Sequence, residues 1–548
     1  MTNQGKRWEL LSKLKTRNEK QIVTELLKNR GIETNKEREE FFKPTAPTKV
    51  SLKSLGIKES EVKKAIRRIK KAKKNKEKVI IYGDYDADGI CATAILWETL
   101  YSLGLNVLPY IPERFSEGYG LNVESIKKLK EKDPDLKLII TVDHGIVADK
   151  KVDVASSLGI DIIITDHHQK GKTIPKAFAI IHTDKISGSG VSWILSREIS
   201  KNVEDKLELA AIGTIADQLP LIGPNRSIAK YGLTKLNKTK RPGLLALFEG
   251  ARIKNEIGPY EVGFLIAPRI NSMGRLEHAI ESLRLLCTRD KSKAEELARH
   301  MNSTNSERQR IVEEVVAHAL RQAQGARMEG IIVMASKNYH EGVIGLAAAR
   351  IVEEFYRPAI VLSKKGDISK ASARSISGFN IIEAIRNLED LYIEGGGHPM
   401  AAGFSIETKN IEKFGKKINA YAKSRLTKDI LSKKLRIDLE VDFSALNQDL
   451  YKNLLEFEPT GLGNPGPTFT TKGVEVLDAR TVGQLARHLK LRLRQNGHIF
   501  DAIYFGGGEI YSTLTPDTKI DIAYQFEDNT WNGHKNLQLK IKDIKVSG

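Results

Sequence analysis

Short apolar runs separated by amphipathic stretches organise the chain between residues 78 and 290. Four runs rich in Val, Ile and Ala have the length of buried strands: 78–82, 137–142, 161–165 and 177–181. Helical spacing fills most of the intervals between them. Strands that alternate with helices are typical of a parallel sheet in an α/β domain. The pattern also predicts a helix at 207–216, with Asp217 at its end.

A different pattern precedes this region. The first 45 residues indicate a small helical segment that ends near Pro44 and Pro47. Residues 60–78 predict a strongly basic helix in which a narrow apolar stripe lies among many Lys and Arg side chains. We favour a solvent-exposed helix face over a dedicated nucleic-acid-binding arm for this helix.

The region after residue 290 predicts a long helix and a second, smaller α/β unit. Residues 291–324 are polar, helically periodic and almost free of helix breakers, so we expect a helix that joins two lobes. Strands are expected near 330–334 and 359–362, followed by a glycine cluster at 395–397. A basic helix at 411–431 is a candidate linker.

Strands and Gly/Pro/Asn turns alternate after residue 435, which predicts a small all-β barrel. In residues 488–494 three leucines face one side, and His488, Lys490, Arg492 and Arg494 face the other. We expect His488, Lys490 and Arg492 to contact a nucleic-acid backbone, with an ordinary solvent-facing strand as the alternative. The chain then divides into five segments: 1–45, 46–290, 291–325, 326–430 and 435–548.

Net charge and cysteine usage narrow the class of protein. Of the 548 residues, 88 are Lys or Arg and 69 are Asp or Glu, so the net charge is 88 − 69 = +19. That excess favours a polyanionic partner such as nucleic acid, although charge that only maintains solubility is the alternative. Cys91 and Cys287 are the only cysteines, too few for a disulfide framework or a thiolate zinc site. With no apolar signal-peptide core and no membrane-length apolar run, we expect a cytoplasmic protein.

Candidate chemistry is concentrated at 81–89, IYGDYDADG, where Asp84, Asp86 and Asp88 alternate along one turn. Carboxylates this close repel one another unless a cation lies among them. Further Asp and His residues follow other predicted elements: Asp143 in TVDHG, Asp166, His167 and His168 in TDHH, and Asp217 in IADQLPL. Because the carboxyl ends of parallel strands meet at one edge, we expect these residues to converge.

The expected ligand set is rich in oxygen, contains imidazole and lacks thiolate, which suits Mn²⁺ or Mg²⁺ better than structural zinc. Its five or more carboxylates exceed what one ion needs, so we expect two ions about 4 Å apart. Each residue taken alone is equally well explained as a helix cap or a surface charge. GSG at 188–190 lacks the third glycine and the helix context of a dinucleotide-binding motif, but a backbone contact to phosphate stays open there.

Together these motifs resemble a known family. YGDYDADG, TVDHG, TDHH and GTIADQLPL resemble the four phosphoesterase motifs of the DHH superfamily, and EGGGHPMAAGF at 394–404 resembles the glycine-rich signature of the DHHA1 domain. Spacing and flanking residues are most similar to the bacterial RecJ family. Other matching stretches are IPERFSEGYGL at 111–121, PRINSMGRL at 268–276, NSERQ at 305–309, HEGVIGLAAAR at 340–350 and PTGLGNPGP at 459–467. The similarity covers nearly the whole chain.

The resemblance implies a fold and a set of metal ligands. The fold would be α/β, with a parallel-sheet DHH domain, a smaller α/β DHHA1 domain joined to it by a long helix, and a C-terminal OB-like barrel. The implied metal ligands are Asp84, Asp86, Asp88, Asp143, His167 and Asp217. Asp143, His167, His168 and His398 would be the catalytic residues, with His168 facing the substrate or supporting the ligands and His398 approaching the scissile phosphate.

The resemblance also implies how the substrate is held. Arg275, Ser372 and Arg374 match positions that bind a 5′ phosphate in this family, and Arg114 matches a position that contacts the nucleotide backbone. Arg269 lies in the same PRINSMGRL motif as Arg275 and is a further candidate for nucleic-acid binding.

Two residues depart from the family pattern. Tyr82 stands where some relatives have a histidine, and phenol is a poor metal ligand at neutral pH, so we expect one ion to be bound more loosely. His144 stands where many relatives have Asn or Cys. It could be a spare ligand, a phosphate neighbour or neither, and we favour a supporting position beside the ligands.

The function that the resemblance implies is metal-dependent 5′→3′ exonuclease activity on single-stranded DNA, releasing 5′ mononucleotides in DNA repair and recombination. The alternative enzyme is a phosphodiesterase or phosphatase that acts on short oligonucleotides or pAp. A replication factor that keeps the fold without its metals is disfavoured because the aspartates are present. A RecQ-type helicase and a single-strand-binding protein are partners implied by the family alone, and we expect a monomer.

Overall fold

The structure is a computed structural model that describes residues 6–16, 18–323, 330–531 and 534–546. Its strands are β1 (Arg7–Leu10), β2 (Lys78–Tyr82), β3 (Val107–Tyr110), β4 (Leu136–Val142), β5 (Asp161–Asp166), β6 (Ala179–His182), β7 (Ile332–Ser336), β8 (Ala359–Lys365), β9 (Ile368–Arg374), β10 (Glu394–His398), β11 (Ala401–Glu407), β12 (Lys434–Ile437), β13 (Leu439–Glu440), β14 (Phe469–Val482), β15 (His488–Gln495), β16 (His498–Tyr504), β17 (Lys519–Trp531) and β18 (His534–Val546).

The α-helices are α1 (Glu19–Lys28), α2 (Asn35–Phe42), α3 (Leu52–Leu55), α4 (Glu59–Lys74), α5 (Ala87–Ser102), α6 (Val123–Lys132), α7 (Asp149–Ser157), α8 (Gly188–Ile199), α9 (Leu207–Ala216), α10 (Gly223–Leu236), α11 (Pro242–Gly250), α12 (Ala267–Leu276), α13 (Ile280–Cys287), α14 (Lys291–Ala323), α15 (Ile344–Phe355), α16 (Ile381–Arg386), α17 (Ile411–Lys423) and α18 (Gln448–Leu455). A π-helical segment, Glu261–Ile266, leads directly into α12. Among the described helices, none combines the length and the apolar character that crossing a membrane requires.

The chain separates into two compact units. We call Thr34–Arg308 with Phe457–Pro465 the parallel-sheet unit, and Met1–Glu33, Gln309–Glu456 and Gly466–Gly548 the barrel-containing unit. The boundary at Arg308 falls within α14, whose observed span agrees with the predicted long helix.

The parallel-sheet unit is built on a five-stranded sheet with the order β3-β2-β4-β5-β6, and every neighbouring pair is parallel. The Val- and Ile-rich strands are buried on both faces, as expected for a sheet covered by helices on each side. The structure confirms the predicted α/β class. It adds β3, a short strand containing Pro109 that the apolar pattern did not indicate.

The barrel-containing unit holds a mixed sheet and a closed barrel. The mixed sheet has the order β10-β11-β9-β8-β7, in which only β7 and β8 are parallel neighbours. Strands β14, β15, β16, β18 and β17 follow one another around the barrel, and pairing of β14 with β17 closes it. This agrees with the expected OB-like barrel.

Three local features differ from the sequence-based expectation. The glycines 395–397, whose clustering with His398 suggests a loop, lie instead in strand β10, where their backbone pairs with β11. Helix α17 ends at Lys423, earlier than the predicted 431. The N-terminal segment contains helices α1 and α2 but also strand β1, which pairs with the distant β12 and therefore has no local sequence signal.

Candidate metal centre and nucleic-acid contacts

The loop after β2 carries the three alternating aspartates into the start of α5. Asp86 caps this helix by accepting a hydrogen bond from the amide of Gly89 (3.0 Å). Asp84 accepts one from the amide of Tyr85 (2.8 Å). These backbone bonds fix the direction of two carboxylates at the carboxyl edge of the sheet.

The third aspartate is held by the N-terminus of α8. Asp88 accepts hydrogen bonds from the backbone amides of Gly188 (2.7 Å) and Ser189 (3.1 Å). A helix N-terminus stabilises negative charge, and these two contacts fix the orientation of the Asp88 carboxylate. The GSG sequence at 188–190 therefore does open a helix, and two of its amides bind a carboxylate rather than phosphate.

Two glycines leave the space that these carboxylates occupy. A Cβ atom on Gly188 would lie 2.3 Å from Oδ1 of Asp143, and one on Gly213 would lie 2.2 Å from Oδ1 of Asp88. Neither distance is possible for a real side chain. Sequence reasoning did not assign these glycines a role in the centre, because only the packing of α8 and α9 against the strand ends brings them there.

His167 is the point at which the motifs meet. Its Nε2 atom lies 3.1 Å from Oδ1 of Asp143, 3.6 Å from Oδ2 of Asp217 and 4.0 Å from Oδ2 of Asp88. Three groups of candidate ligands have donor atoms within 4.8 Å of one another: Asp143, His167 and His168; Asp88, His167 and Asp217; and Asp84, Asp86 and Asp143. The predicted ligands thus converge. Asp143 and His167 each belong to two of the three groups, so the groups share ligands.

The electrostatics of the cluster fit a bound cation. Burial, followed by the negative charge of Asp88 and other aspartates, raises the pKa of Asp143 well above its ordinary value. Burial and the same neighbours raise the pKa of Asp217 to about 8. Burial lowers the pKa of His167, which leaves a neutral imidazole able to bind a metal. A cation stabilises carboxylates crowded in this way, and their oxygen-rich donor set suits Mn²⁺ or Mg²⁺.

Asp166 lies on the other side of the centre and is in none of the three candidate ligand groups found among the described residues. Its Oδ1 accepts hydrogen bonds from the amides of His167 (2.7 Å) and His168 (3.1 Å), and its Oδ2 accepts one from Ile146 (2.9 Å). Burial would raise the pKa of Asp166, but its bond with His168 and these amides lower it to about 2.

Both ring nitrogens of His168 have neighbours. Nδ1 lies 2.8 Å from Asp166, and Nε2 lies 3.2 Å from the hydroxyl of Tyr119, which also donates to the carbonyl of Asp143 (3.3 Å). Burial would lower the pKa of His168, but Asp166 raises it overall. Tyr119 is a site residue that the sequence analysis missed, although it lies in the matching stretch 111–121.

Comparison with known proteins shows which family these motifs belong to. Family models match residues 78–214 (DHH family, N-terminal domain), 328–424 (DHHA1 domain) and 437–543 (RecJ OB domain). The single-stranded-DNA-specific exonuclease RecJ of Salmonella typhimurium is 31% identical over 95% of this chain and 95% of its own length. The chain belongs to the RecJ family. The Bacillus subtilis RecJ is 38% identical over 89% of this chain, and the match spans 63% of that longer relative.

Solved RecJ structures agree with the fold. RecJ of Thermus thermophilus in complex with Mn²⁺ matches with a TM-score of 0.84 at 29% identity, covering 99% of this chain and 80% of the other. The same protein in complex with Mg²⁺ matches with a TM-score of 0.78 at 28% identity, covering 99% and 79%. RecJ relatives thus hold the two cations that the donor set here favours.

Arg114 and the helix that carries Arg269 and Arg275 lie beside motif 81–89. The guanidinium of Arg114 lies over the ring of Tyr85 (4.9 Å). Helix α12, which carries Arg269 and Arg275, packs against the same loop, since Asn271 accepts a hydrogen bond from the amide of Ala87 (2.8 Å). The structure therefore places the PRINSMGRL motif beside the loop that carries Asp84 and Asp86, which we call the aspartate loop.

Arg308 of the NSERQ stretch is a second residue that sequence reasoning missed. It lies close enough to Arg269 for the two charges to repel, and burial together with this repulsion lowers the pKa of Arg308. The hydrogen bonds of Arg269 go to Asn302 (2.6 Å) and the carbonyl of Leu265 (2.7 Å), and Arg308 bonds Asn305 (3.1 Å). These partners are all uncharged, so the arginine pair favours an anion.

In the barrel-containing unit the candidates lie on strand faces that are partly or fully open to solvent. On β9, Arg374 donates to Ser372 (3.2 Å), beside Gly345. His398 ends the exposed strand β10. On β15, Leu489, Leu491 and Leu493 are buried, while His488, Lys490 and Arg492 lie on the opposite face, as the alternation predicts. Arg494, on the same face, donates two hydrogen bonds to the carboxylate of Glu475 (3.1 and 2.5 Å).

Tyr82 and His144 lie together behind the centre. Their rings are 5.4 Å apart, and Nε2 of His144 lies 3.0 Å from the carbonyl oxygen of Tyr82. Both side chains are buried, and burial lowers the pKa of His144 to about 4. Neither residue is in the three candidate ligand groups found among the described residues. The favoured interpretation of His144 as a supporting neighbour stays a prediction.

Proposed function

We propose that this RecJ-family chain is a metal-dependent exonuclease that degrades single-stranded DNA from its 5′ end and releases 5′ mononucleotides. One observation carries the proposal: lone pairs of Asp143 and His167 converge with further carboxylates at one edge of the parallel sheet. The names of the RecJ relatives and the metals of the Thermus structures support the activity and the cation.

Two divalent cations, Mn²⁺ or Mg²⁺, fit the ligand set. The residues that would hold them are Asp84, Asp86, Asp88, Asp143, His167 and Asp217. Cations at this position would polarise a phosphodiester and lower the pKa of a bound water. The chain itself supplies the orientation, since backbone amides fix the carboxylates of Asp84, Asp86 and Asp88.

His168 is proposed to face the substrate rather than to bind an ion. Asp166 fixes its Nδ1, and Tyr119 lies beside Nε2, so the ring has one orientation. Its side chain is 46% exposed, which leaves room for a phosphate oxygen. Tyr119 would serve as a positioning residue, because its contact with the centre runs through His168 and the Asp143 carbonyl.

Four arginines of the parallel-sheet unit are proposed to bind the strand's phosphates. A shared anion would relieve the mutual repulsion of Arg269 and Arg308, and planar guanidinium groups bind phosphate oxygens in pairs. Arg114 and Arg275, beside the aspartate loop, would contact the backbone and the terminal phosphate. A 5′ phosphate bound in this way would set the polarity of digestion.

The residues of the barrel-containing unit complete the proposal through the family resemblance. Ser372 and Arg374 would bind the 5′ phosphate, and His398 would approach the scissile phosphate. His488, Lys490 and Arg492 would hold the strand on the barrel, where their charges share one face of β15. The five sequence segments correspond to a helical preface, the DHH domain, the connecting helix, the DHHA1 domain and the barrel.

We further propose that the chain works in the cytoplasm as a monomer with a RecQ-type helicase and a single-strand-binding protein. Cys91 and Cys287 are both free, which suits a reducing compartment. These partners are implied by the family resemblance alone, and copurification with each would test them.

The decisive experiment is Mn²⁺-dependent digestion of single strands labelled at the 5′ or the 3′ end, beside duplex and RNA controls. We expect a 5′-labelled strand to release labelled mononucleotide from the first turnover, while a 3′-labelled strand shortens progressively. Asp143→Ala and Asp217→Ala should abolish hydrolysis and leave strand binding largely intact. Asp153→Ala, which removes an exposed carboxylate on α7, is the matched control and should keep full activity.

Turnover on a dinucleotide separates this proposal from the short-substrate phosphodiesterase. The match of residues 437–543 to the RecJ OB domain favours a long substrate. A chain that hydrolyses dinucleotide or pAp faster than a long 5′-phosphorylated strand would overturn the exonuclease assignment. Full activity of Asp143→Ala or Asp217→Ala would overturn the metal centre.

A further inference from the structure

A basic, aromatic cleft lies at the amino edge of the parallel sheet, opposite the metal centre. It has a volume of about 740 Å³, and its lining includes Lys73, Lys76, Tyr101 and Asn106. Lys73 and Lys76 precede β2, and Asn106 precedes β3, so all three lie where these strands begin. Helix α5 starts in the metal centre and ends at this cleft 16 residues later, a rise of about 24 Å.

The aromatic wall of the cleft is preorganised. The rings of Trp97 and Tyr101 stack with centroids 5.3 Å apart and planes inclined by 25°. The indole of Trp97 donates to the carbonyl of Val107 (3.3 Å), which fixes the inner ring of the pair. Tyr101 is 63% exposed. A large ring held on one side and open to solvent on the other is a platform for a further planar group.

The basic wall of the cleft carries lysine charges that no nearby carboxylate of the described chain neutralises. Neither Lys73 nor Lys76 has a carboxylate within 4.0 Å among the residues that the structure describes. The last-turn lysines of α4 offset the negative end of its dipole, but Lys76 lies beyond the helix. Its φ of 53° is a conformation that favours glycine or asparagine, yet the chain has lysine there.

Two acidic groups, Glu77 beside Lys76 in the chain and Asp133, have partners of their own. Glu77 forms an ion pair with Arg68 (2.7 Å), and Asp133 lies 3.7 Å from Lys78. The charge of Lys73 and Lys76 is therefore left for a ligand. An open aromatic face beside two lysines matches the alternating bases and phosphates of a single nucleic-acid strand.

We propose that this cleft is a second contact site for single-stranded nucleic acid, with a base stacked on Tyr101 and phosphates beside Lys73 and Lys76. The site would hold a distant part of the strand whose end is being digested. This inference rests on one part of the proposed function, namely that the substrate is a long single strand. Exposed Lys70, Lys71 and Lys74 on α4 extend the same charge along the surface, so the end of this basic helix would make a nucleic-acid contact that the sequence alone did not favour.

The test measures binding of 5′-phosphorylated strands of about 10 and about 60 nucleotides to the full chain, in EDTA, by fluorescence anisotropy. Lys73→Glu with Lys76→Glu should raise the Kd of the long strand at least ~5-fold and reduce its logarithmic salt slope by about 1.4. Tyr101→Ala should raise that Kd about 5-fold, and Tyr101→Phe, which keeps the ring, should restore it. The Kd of the short strand, and its Mn²⁺-dependent cleavage, should not change.

Lys63→Glu with Lys127→Glu is the matched control, because it makes the same change of charge on α4 and α6 outside the cleft. Equal long-strand affinity in the cleft variant and this control would overturn the proposal. So would an equal loss of short-strand binding in the cleft variant, which would assign the effect to the active centre. Wild-type chain that binds the long strand through the cleft but cleaves no single strand would instead contradict the proposed function.

Discussion

Nε2 of His167 lies 3.1 Å from Oδ1 of Asp143, and yet Oδ1 accepts no hydrogen bond from the part of the chain that the structure describes. Two lone pairs that point into one space without sharing a proton are the arrangement expected around a cation. Asp143 has a φ of 67°, an unusual backbone conformation for a side chain, which turns its carboxylate towards this space.

Mn²⁺ is expected to stabilise the chain, because a cation offsets the mutual repulsion of buried carboxylates. At a free concentration about 100 times its Kd, it should add about 2.7 kcal/mol to the free energy of unfolding. Thermal unfolding with Mn²⁺ and with EDTA measures this gain. Asp143→Ala should lose most of the gain, while Asp153→Ala should keep it. An equal response of both variants to Mn²⁺ would place the ion elsewhere.

Gly188→Ala is expected to disrupt the centre without adding charge. The new methyl group would collide with Oδ1 of Asp143, which must then move away from His167. Displaced ligands of this kind weaken metal affinity by about 10–100-fold. Titration calorimetry with Mn²⁺ measures the loss. Gly171→Ala is the control, since its methyl group would make only ordinary contact with Val147 (3.4 Å). Unchanged Mn²⁺ affinity in Gly188→Ala would contradict the packing of α8 against Asp143.

Asp166→Asn should impair both folding and activity. The carboxylate accepts hydrogen bonds from the amides of Ile146 and His168, and an amide group in its place must present N–H to one of these donors. A buried donor left without an acceptor costs about 1–3 kcal/mol. Urea unfolding should detect this loss, and exonuclease turnover should fall because His168 loses its fixed orientation. Wild-type stability with reduced turnover would limit Asp166 to a role in the reaction.

Arg68 on α4 is expected to stabilise the chain, because its buried guanidinium forms two ion pairs. It contacts Glu77 (2.7 Å) and Asp161 (2.5 Å), and its side chain is 4% exposed. Arg68→Ala leaves Glu77 largely buried without its partner and should cost about 3 kcal/mol. Arg67→Ala, an exposed position on the same helix, is the control.

The same pair has a predictable pH dependence. Burial would raise the pKa of Glu77, but Arg68 and Asn75 hold it below its ordinary value of 4.5. Stability from the pair is therefore present above pH 4.5 and is lost as the pH falls through the lowered folded pKa. Urea unfolding between pH 3 and pH 6 should show a smaller acid-dependent loss in Arg68→Ala than in wild type. Identical slopes would contradict the ion pair.

Local patterns determined much of this protein. The Val- and Ile-rich runs specified the strands of the parallel sheet, because buried strands need apolar side chains on both faces. Alternation in β15 separated its buried leucines from its basic face. The motifs at 84–88, 143, 166–168 and 217 indicated the candidate ligands, since carboxylates and imidazoles at the ends of parallel strands meet at one edge.

Only the tertiary structure decided how these residues act on one another. Gly188 and Gly213 matter because α8 and α9 approach the aspartates, and no local pattern encodes that approach. Tyr119 reaches His168 across the sheet edge, and Arg308 meets Arg269 from a separate helix. The cleft at Tyr101 forms where the ends of α4 and α5 meet the start of β3. Each of these relationships joins residues that are distant in the chain, so it depends on packing rather than on spacing.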